Sequence, residues 1–523
     1  MTLLTLIVLA PLIGALVAGL AVRTGPASAR WAALAATGAD LLLAFILMFF
    51  VRESPVATSM PWIPAIGAAF HLEADGLSAV LVLLTTMLGV VAVLISWNEI
   101  TRKVHAYHVW LLLLQVGILL VFLARDIVLF YFGWELMLIP MFFLIGVWGH
   151  EDKLYSAIKF FLFTFTGSIF MLVALLYVYF QHARQYGMYS FEIANLLKTS
   201  LTETEQWWVF LGLFIGFAVK VPLFPLHTWL PDAHTQAPTA GSLILAGLLL
   251  KTGVYGLMRI AMPLAPAGAA AFAPMVITLA VAGIFYGALV AFSQRDFKRL
   301  VAYSSISHLG FVVLGLFIGN AAGWQGATLQ MVNHGLATGG LFLIAGILQQ
   351  RAHTRNFDMY GGLWRHAPTM GAFLLFFAMA SLGIPGTGNF IGELYVIGGA
   401  FQFKWWLGVI TAFGILFAAA YSLRVFIATM HGPESPTIKH MNDTTWVENL
   451  AMGILVAGLI VVGFVPRVVT APLFYPPDTM VPRDGREPAT IAAIRPGQIV
   501  IPSLPLISAE PPPASFSTPE VRK

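Results

Sequence analysis

FAVKVPLFPLHTWLPDAHTQAPTAGSLILAGLLLKTGVYGL (217–257) decides the fold. Apolar runs on either side could each cross a bilayer, yet Lys220 and Lys251 sit inside them. Pro222 and Pro225 follow Lys220 at once, removing backbone donors and clashing with the preceding turn, so the first run must break there. A second stretch behaves alike: Ile384-Pro385-Gly386-Thr387-Gly388-Asn389 interrupts a long apolar run that also contains Glu393. Broken helices with buried charges at two places in one chain mark a transport site near mid-membrane. The freed carbonyls are tolerable only where protein or internal water satisfies them.

Composition agrees. Of 523 residues 59% are hydrophobic and 10% charged, against about 25% charged in soluble domains. So few charges cannot cover a water-facing surface. The net charge of +4 comes without a basic run, which argues against nucleic acid. With no cysteine, the chain has no disulfide, iron–sulfur cluster or thiolate metal site of its own. The N-terminal run lacks a basic leader and a small-residue cleavage site, and reads as a retained first helix.

Spans are expected at about 2–22, 31–51, 77–97, 106–124, 126–148, 155–180, 207–230, 238–262, 272–292, 300–319, 325–349, 368–402, 405–430 and 447–466. The fold class is therefore an all-α polytopic membrane protein of about fourteen transmembrane helices. After about residue 467 Pro, Arg and Glu accumulate, which reads as an extramembrane tail. Lys and Arg number roughly twelve in one set of loops and six in the other, so both termini are expected outside.

Within spans lie Glu135, Lys220, Lys251, His308, His334 and Glu393, with Arg424 toward a span end. Each charge at a helix centre costs about 2.5–3.5 kcal/mol, so four cost roughly 10 kcal/mol before pairing. They must face the interior. The plain alternative is structural pairing, Glu135 with Lys220 and Glu393 with Arg424. Lys159 and Asp126 lie near span ends, where snorkelling would explain them. His227, Asp232 and His234 are better read as a polar loop or re-entry than as a metal site.

Spacing goes further. Glu135 and Lys220 are 85 residues apart, as are His308 and Glu393; Lys220 and Lys251 are 31 apart, as are Glu393 and Arg424. This predicts two inverted five-helix repeats, each with a broken helix and three interior ionisable groups. The divisions would be 1–105 for N-terminal helices, 106–262 and 263–430 for the repeats, 431–470 for a last helix and 471–523 for the Pro-rich tail. Burial penalises an ammonium and a nearby carboxylate offsets the penalty, so separating Lys220 from Glu135 would release a proton. Chained through Lys251, His308 or His334, and Glu393, such groups form a lateral relay; His suits its middle.

These residues resemble a known family. The opening stretch, with FYFGWELMLIPMFFLIGVWGHE, RLVAYSSISHLGF, QMVNHGL and LGIPGTGNFIGE, is similar to the antiporter-like subunits of proton-pumping NADH:quinone oxidoreductase, respiratory complex I. It looks most like their M-type branch, over about residues 70 to 430. The resemblance implies a fourteen-helix subunit beside L-type and N-type relatives; the Ala-rich composition and length point to a bacterial inner (cytoplasmic) membrane. By position, Glu135 matches the family's glutamate beside the first-half lysine Lys220. Lys251 matches the connecting lysine, His308 and His334 the central relay, and Glu393 the exit residue, where glutamate favours the M-type. Flavin, iron–sulfur clusters and quinone are expected in partner subunits, and no cofactor in this chain. A subunit of a multi-chain cation/proton antiporter is the alternative, with a membrane-bound hydrogenase a lesser one.

Overall fold

The computed structural model describes residues 2–438 and 441–471, so the expected tail from 472 onward lies outside the described residues. Among the described residues twelve helices are long and apolar enough to cross a membrane, from Leu3–Thr24 to Trp446–Phe464. The two remaining expected spans are the interrupted ones. Glu203–Lys220 stops at the predicted prolines and resumes as Leu230–Gln236. Pro368–Leu382 stops at Gly383 and resumes as Gly388–Phe403. The chain is a multi-pass membrane protein.

Helix starts follow local chemistry. Asp75, Asp126, Asp296 and Asn320 each accept hydrogen bonds from free backbone N–H groups at the first turn of the helix that follows. Thr202 with Glu205, and Thr445 with Glu448, form reciprocal capping boxes. Inside Ile127–Trp148 the helix slips at Met137. Pro140, three residues on, cannot donate to the carbonyl of Leu136.

One connector holds structure that the sequence reading did not assign. Val56–Ile63 and Ala68–Ala74 pair antiparallel, Val56 opposite Ala74, with an irregularity between Pro61 and Ile63. This hairpin lies on one face of the bundle. The opposite face carries Arg295, Arg299, Arg351 and Arg355 in its loops and helix ends.

Two calls on span-end charges are corrected here. Asp126 does not snorkel: it is fully buried, caps the helix from Ile127 and accepts from Ala69 N of the hairpin at 2.9 Å. Lys159 does not snorkel either. Its ammonium is 2.7 Å from Asp232, which also meets Arg299 at 3.3 Å. In both cases a partner within the protein satisfies the charge.

The core is where the charges are. The helices Thr239–Leu264, Phe297–Phe317 and Ala321–Ala352, which carry Lys251, His308 and His334, are almost wholly enclosed by the others. The first two helices and the long helix Lys153–Tyr186 instead expose Leu, Ile and Phe side chains outward, as lipid or a partner subunit requires.

Candidate functional site

Lys251 sits between two π-helical turns, Leu245–Leu249 and Leu257–Ala261. Such wide turns leave backbone carbonyls without their usual partners and recur at functional sites. Here the ammonium of Lys251 takes one of them, the carbonyl of Ala246. Its other contact is Nδ1 of His334, 2.6 Å away.

Glycine makes that meeting possible. A Cβ on Gly335 would lie 2.9 Å from the carbonyl oxygen of Gly247. Only bare backbone lets the Lys251 and His334 helices cross so closely, one turn from Lys251 and next to His334.

From His334 the line continues. Its ring centroid is 5.5 Å from that of His308. His308 Nδ1 is 3.1 Å from Glu393 Oε1, and its Nε2 meets Tyr421 Oη at 2.8 Å and Ser381 Oγ at 3.1 Å. Gln330 Nε2 donates to the same Glu393 oxygen at 3.0 Å. Gly383, in the break, is needed twice: its φ is +79°, and a Cβ there would stand 3.1 Å from Glu393 Oε2.

Toward the arginine-rich face lie Glu99, which the sequence reading left out, and Lys298 and His234, which it read only as loop residues. Glu99 accepts from Thr239 N at 3.0 Å and Thr239 Oγ1 at 2.9 Å, and Lys298 Nζ donates to the Ala237 carbonyl at 3.0 Å. Glu99 and Lys298 are within electrostatic reach of one another, and His234 of both Lys298 and Lys251. Above them opens a cavity of about 1000 Å³ lined by Glu99, His150, Asp296, Gln350 and Arg355, among others. Glu99 and Lys298 sit at the ends of apolar spans, and a sequence alone reads such positions as loop edges.

Glu135 and Lys220 form a separate group. Glu135 Oε1 accepts from Ser168 Oγ at 2.6 Å. Lys220 Nζ has no hydrogen-bond partner and lies 5.2 Å over the Trp134 ring and 5.7 Å over Phe160. The structural pairings considered from sequence are therefore both absent. No ion pair joins Glu135 to Lys220, and Arg424 lies 5.2 Å over the Phe292 ring on a half-buried helix face, away from Glu393. The spacing rule placed Arg424 on the right kind of helix but not on its interior side. His234 stacks on Phe342, and among the described residues no group of three or more His, Asp or Glu is placed to hold a metal.

The arrangement is thus an interior file of Lys, His and Glu at hydrogen-bond or ring-contact distance, with a cavity of about 1000 Å³ beside Glu99 toward the arginine-rich face. Such a file can pass protons. Residues 124–418 match the family described as NADH:quinone oxidoreductase/Mrp antiporter, TM. The NADH-quinone oxidoreductase subunit M of Pseudomonas aeruginosa is 43% identical over 480 residues, 88% of this chain and 94% of that protein. A chain of respiratory complex I from Thermus thermophilus with bound NADH superposes with a TM-score of 0.79 at 32% identity, covering 88% of this chain and 96% of that one. A chain of an archaeal membrane-bound sulfane sulfur reductase gives 0.82 at 26% identity, over 91% and 79%. The chain belongs to the NADH:quinone oxidoreductase/Mrp antiporter transmembrane family.

Proposed function

We propose that this chain is the M-type membrane-arm subunit of a proton-translocating NADH:quinone oxidoreductase in a bacterial cytoplasmic membrane. Its neighbours are L-type and N-type antiporter-like subunits. The observation that carries the reading is the file Lys251–His334–His308–Glu393, closed to lipid along its length. Protons enter from the arginine-rich, inner face through the cavity above Glu99, reach Lys251 by way of Lys298 and His234, and leave toward Glu393. Glu135 and Lys220 form the charge pair that gates this file. Flavin, iron–sulfur clusters and quinone act in the partner subunits, and this chain contributes no cofactor.

The test uses the intact complex in sealed vesicles. Lys251→Met and Lys220→Met are compared with the unaltered chain for assembly, quinone reductase activity and acidification of the vesicle. Assembly with reductase activity present and acidification sharply reduced supports the relay. Unchanged acidification in an assembled complex refutes it. The same purification separates the family's other activity, because a multi-chain antiporter would copurify without flavin or quinone reductase subunits.

A further inference from the structure

Asp40 lies at the middle of the helix Pro26–Phe50 and is fully buried. Neither the comparisons nor the relay above gives it a role. Among the described residues its only side-chain partner is Gln115, whose Nε2 donates to Oδ2 at 2.6 Å. Its second oxygen, Oδ1, has no partner, and no cation stands within ion-pair distance. An ionised carboxylate in that setting is very costly; a carboxylic acid is tolerated.

Gln115 reaches further. Gly89 leaves room for its amide, since a Cβ there would strike Oε1. Beside that amide is a small cavity of about 10 Å³ lined by Thr85, Leu111, Ile118, Ile244 and Leu248, about the least that holds one water. Leu248 belongs to the wide turn before Lys251, the turn whose Ala246 carbonyl holds the Lys251 ammonium.

We propose that Asp40 is a further proton-exchanging acid of the translocation machinery, joined to the Lys251 helix through Gln115 and one water. This rests on the relay reading of Lys251. Asp40 holds its proton while Lys251 is bound to His334 and Ala246; when that turn rearranges and frees Lys251 as a neutral amine, the water, oriented by the Gln115 amide, takes the proton from the Asp40 carboxyl and hands one on to Lys251, and the reverse transfer reprotonates Asp40. The path ends at the wide turn and adds a branch to the file on the side away from Glu393.

Infrared spectroscopy on the intact complex reads this without relying on pumping. A carboxylic acid C=O band is expected that Asp40→Asn removes and that shifts in deuterated buffer during NADH turnover. Asp40→Asn, which keeps an acceptor for Gln115, should pump at least twofold fewer protons per NADH, and Asp40→Glu should restore the ratio. Gln115→Leu, which keeps Asp40, should move the band and lower the ratio; this variant decides the matter if Asp40→Asn does not assemble. No band, a band that does not exchange during turnover, or full pumping by Asp40→Asn overturns the proposal. Normal pumping by Lys251→Met would instead sink the relay reading, and the Asp40 band would report separately.

Discussion

Lys220 reaches the helix of Glu135 at its neighbour Trp134, yet the two charges form no ion pair: Glu135 turns to Ser168, and the Lys220 ammonium rests over the Trp134 and Phe160 rings. Two aromatic faces partly replace water for the cation, at about 0.5–2 kcal/mol each. The pair is held apart with its attraction unspent, which suits a switch better than a brace. Ser168→Ala should free the Glu135 carboxylate to approach Lys220. Pumping should then slow while assembly is kept, as measured by vesicle acidification against reductase activity.

Glu393→Gln keeps the hydrogen bond to Gln330 and removes the charge facing His308. The expected result is an assembled complex with normal NADH oxidation in uncoupled vesicles and strongly impaired proton transfer. A normal proton-to-electron ratio would remove Glu393 from the path.

Gly335→Ala places a methyl group 2.9 Å from the Gly247 oxygen. Overpacking of this kind costs about 1–3 kcal/mol, and it pushes Lys251 from His334. Thermal unfolding should fall by several degrees and pumping should drop together with it. The paired change at Gly247 should not rescue either.

Asp232 holds Lys159 and Arg299 at once. Asp232→Asn leaves two part-buried cations short of their acceptor, at about 1–3 kcal/mol. The readout is the detergent half-life of the complex. An unchanged half-life would show the pair to be ornamental.

His150, in the connector before Lys153, is pushed down to about 3 by burial first, then by Lys298, Arg355 and Lys153 nearby. The unfolded ring takes a proton near 6.5, so the unfolded state binds more protons below that value. Stability contributed by a neutral His150 is complete above pH 6.5 and declines as pH falls toward 3. His150→Gln should flatten the fall in melting temperature between pH 7 and 5.

The breaks at Pro222 and at Pro385-Gly386 were legible because proline and glycine act locally, whatever surrounds them. Lys220, Lys251 and Glu393 were legible because a charge stands out in an apolar run. The partners were not. Gln330, Ser381 and Tyr421 are neutral and blend into their helices, although they surround His308 and Glu393. The 2.6 Å contact of Lys251 with His334 joins residues 83 apart, through a glycine crossing that no single helix reveals. Arg424 shows the opposite failure: regular spacing fixed its helix, while a half-buried face decided its direction. Asp40 was passed over in the sequence, because its importance depends on Gln115, 75 residues away.

The interrupted helices also supply charge that never titrates. Lys220 is the last residue of its half-helix, beside carbonyls that carry roughly half a negative charge at that pole. Glu393 leans back toward Gly383, near the opening turn of its own half-helix, where the backbone N–H groups form the positive pole. Each break thus sets a fixed backbone pole of opposite sign near its mobile charge, and a substitution that mended either helix would erase that pole even if the side chain were untouched.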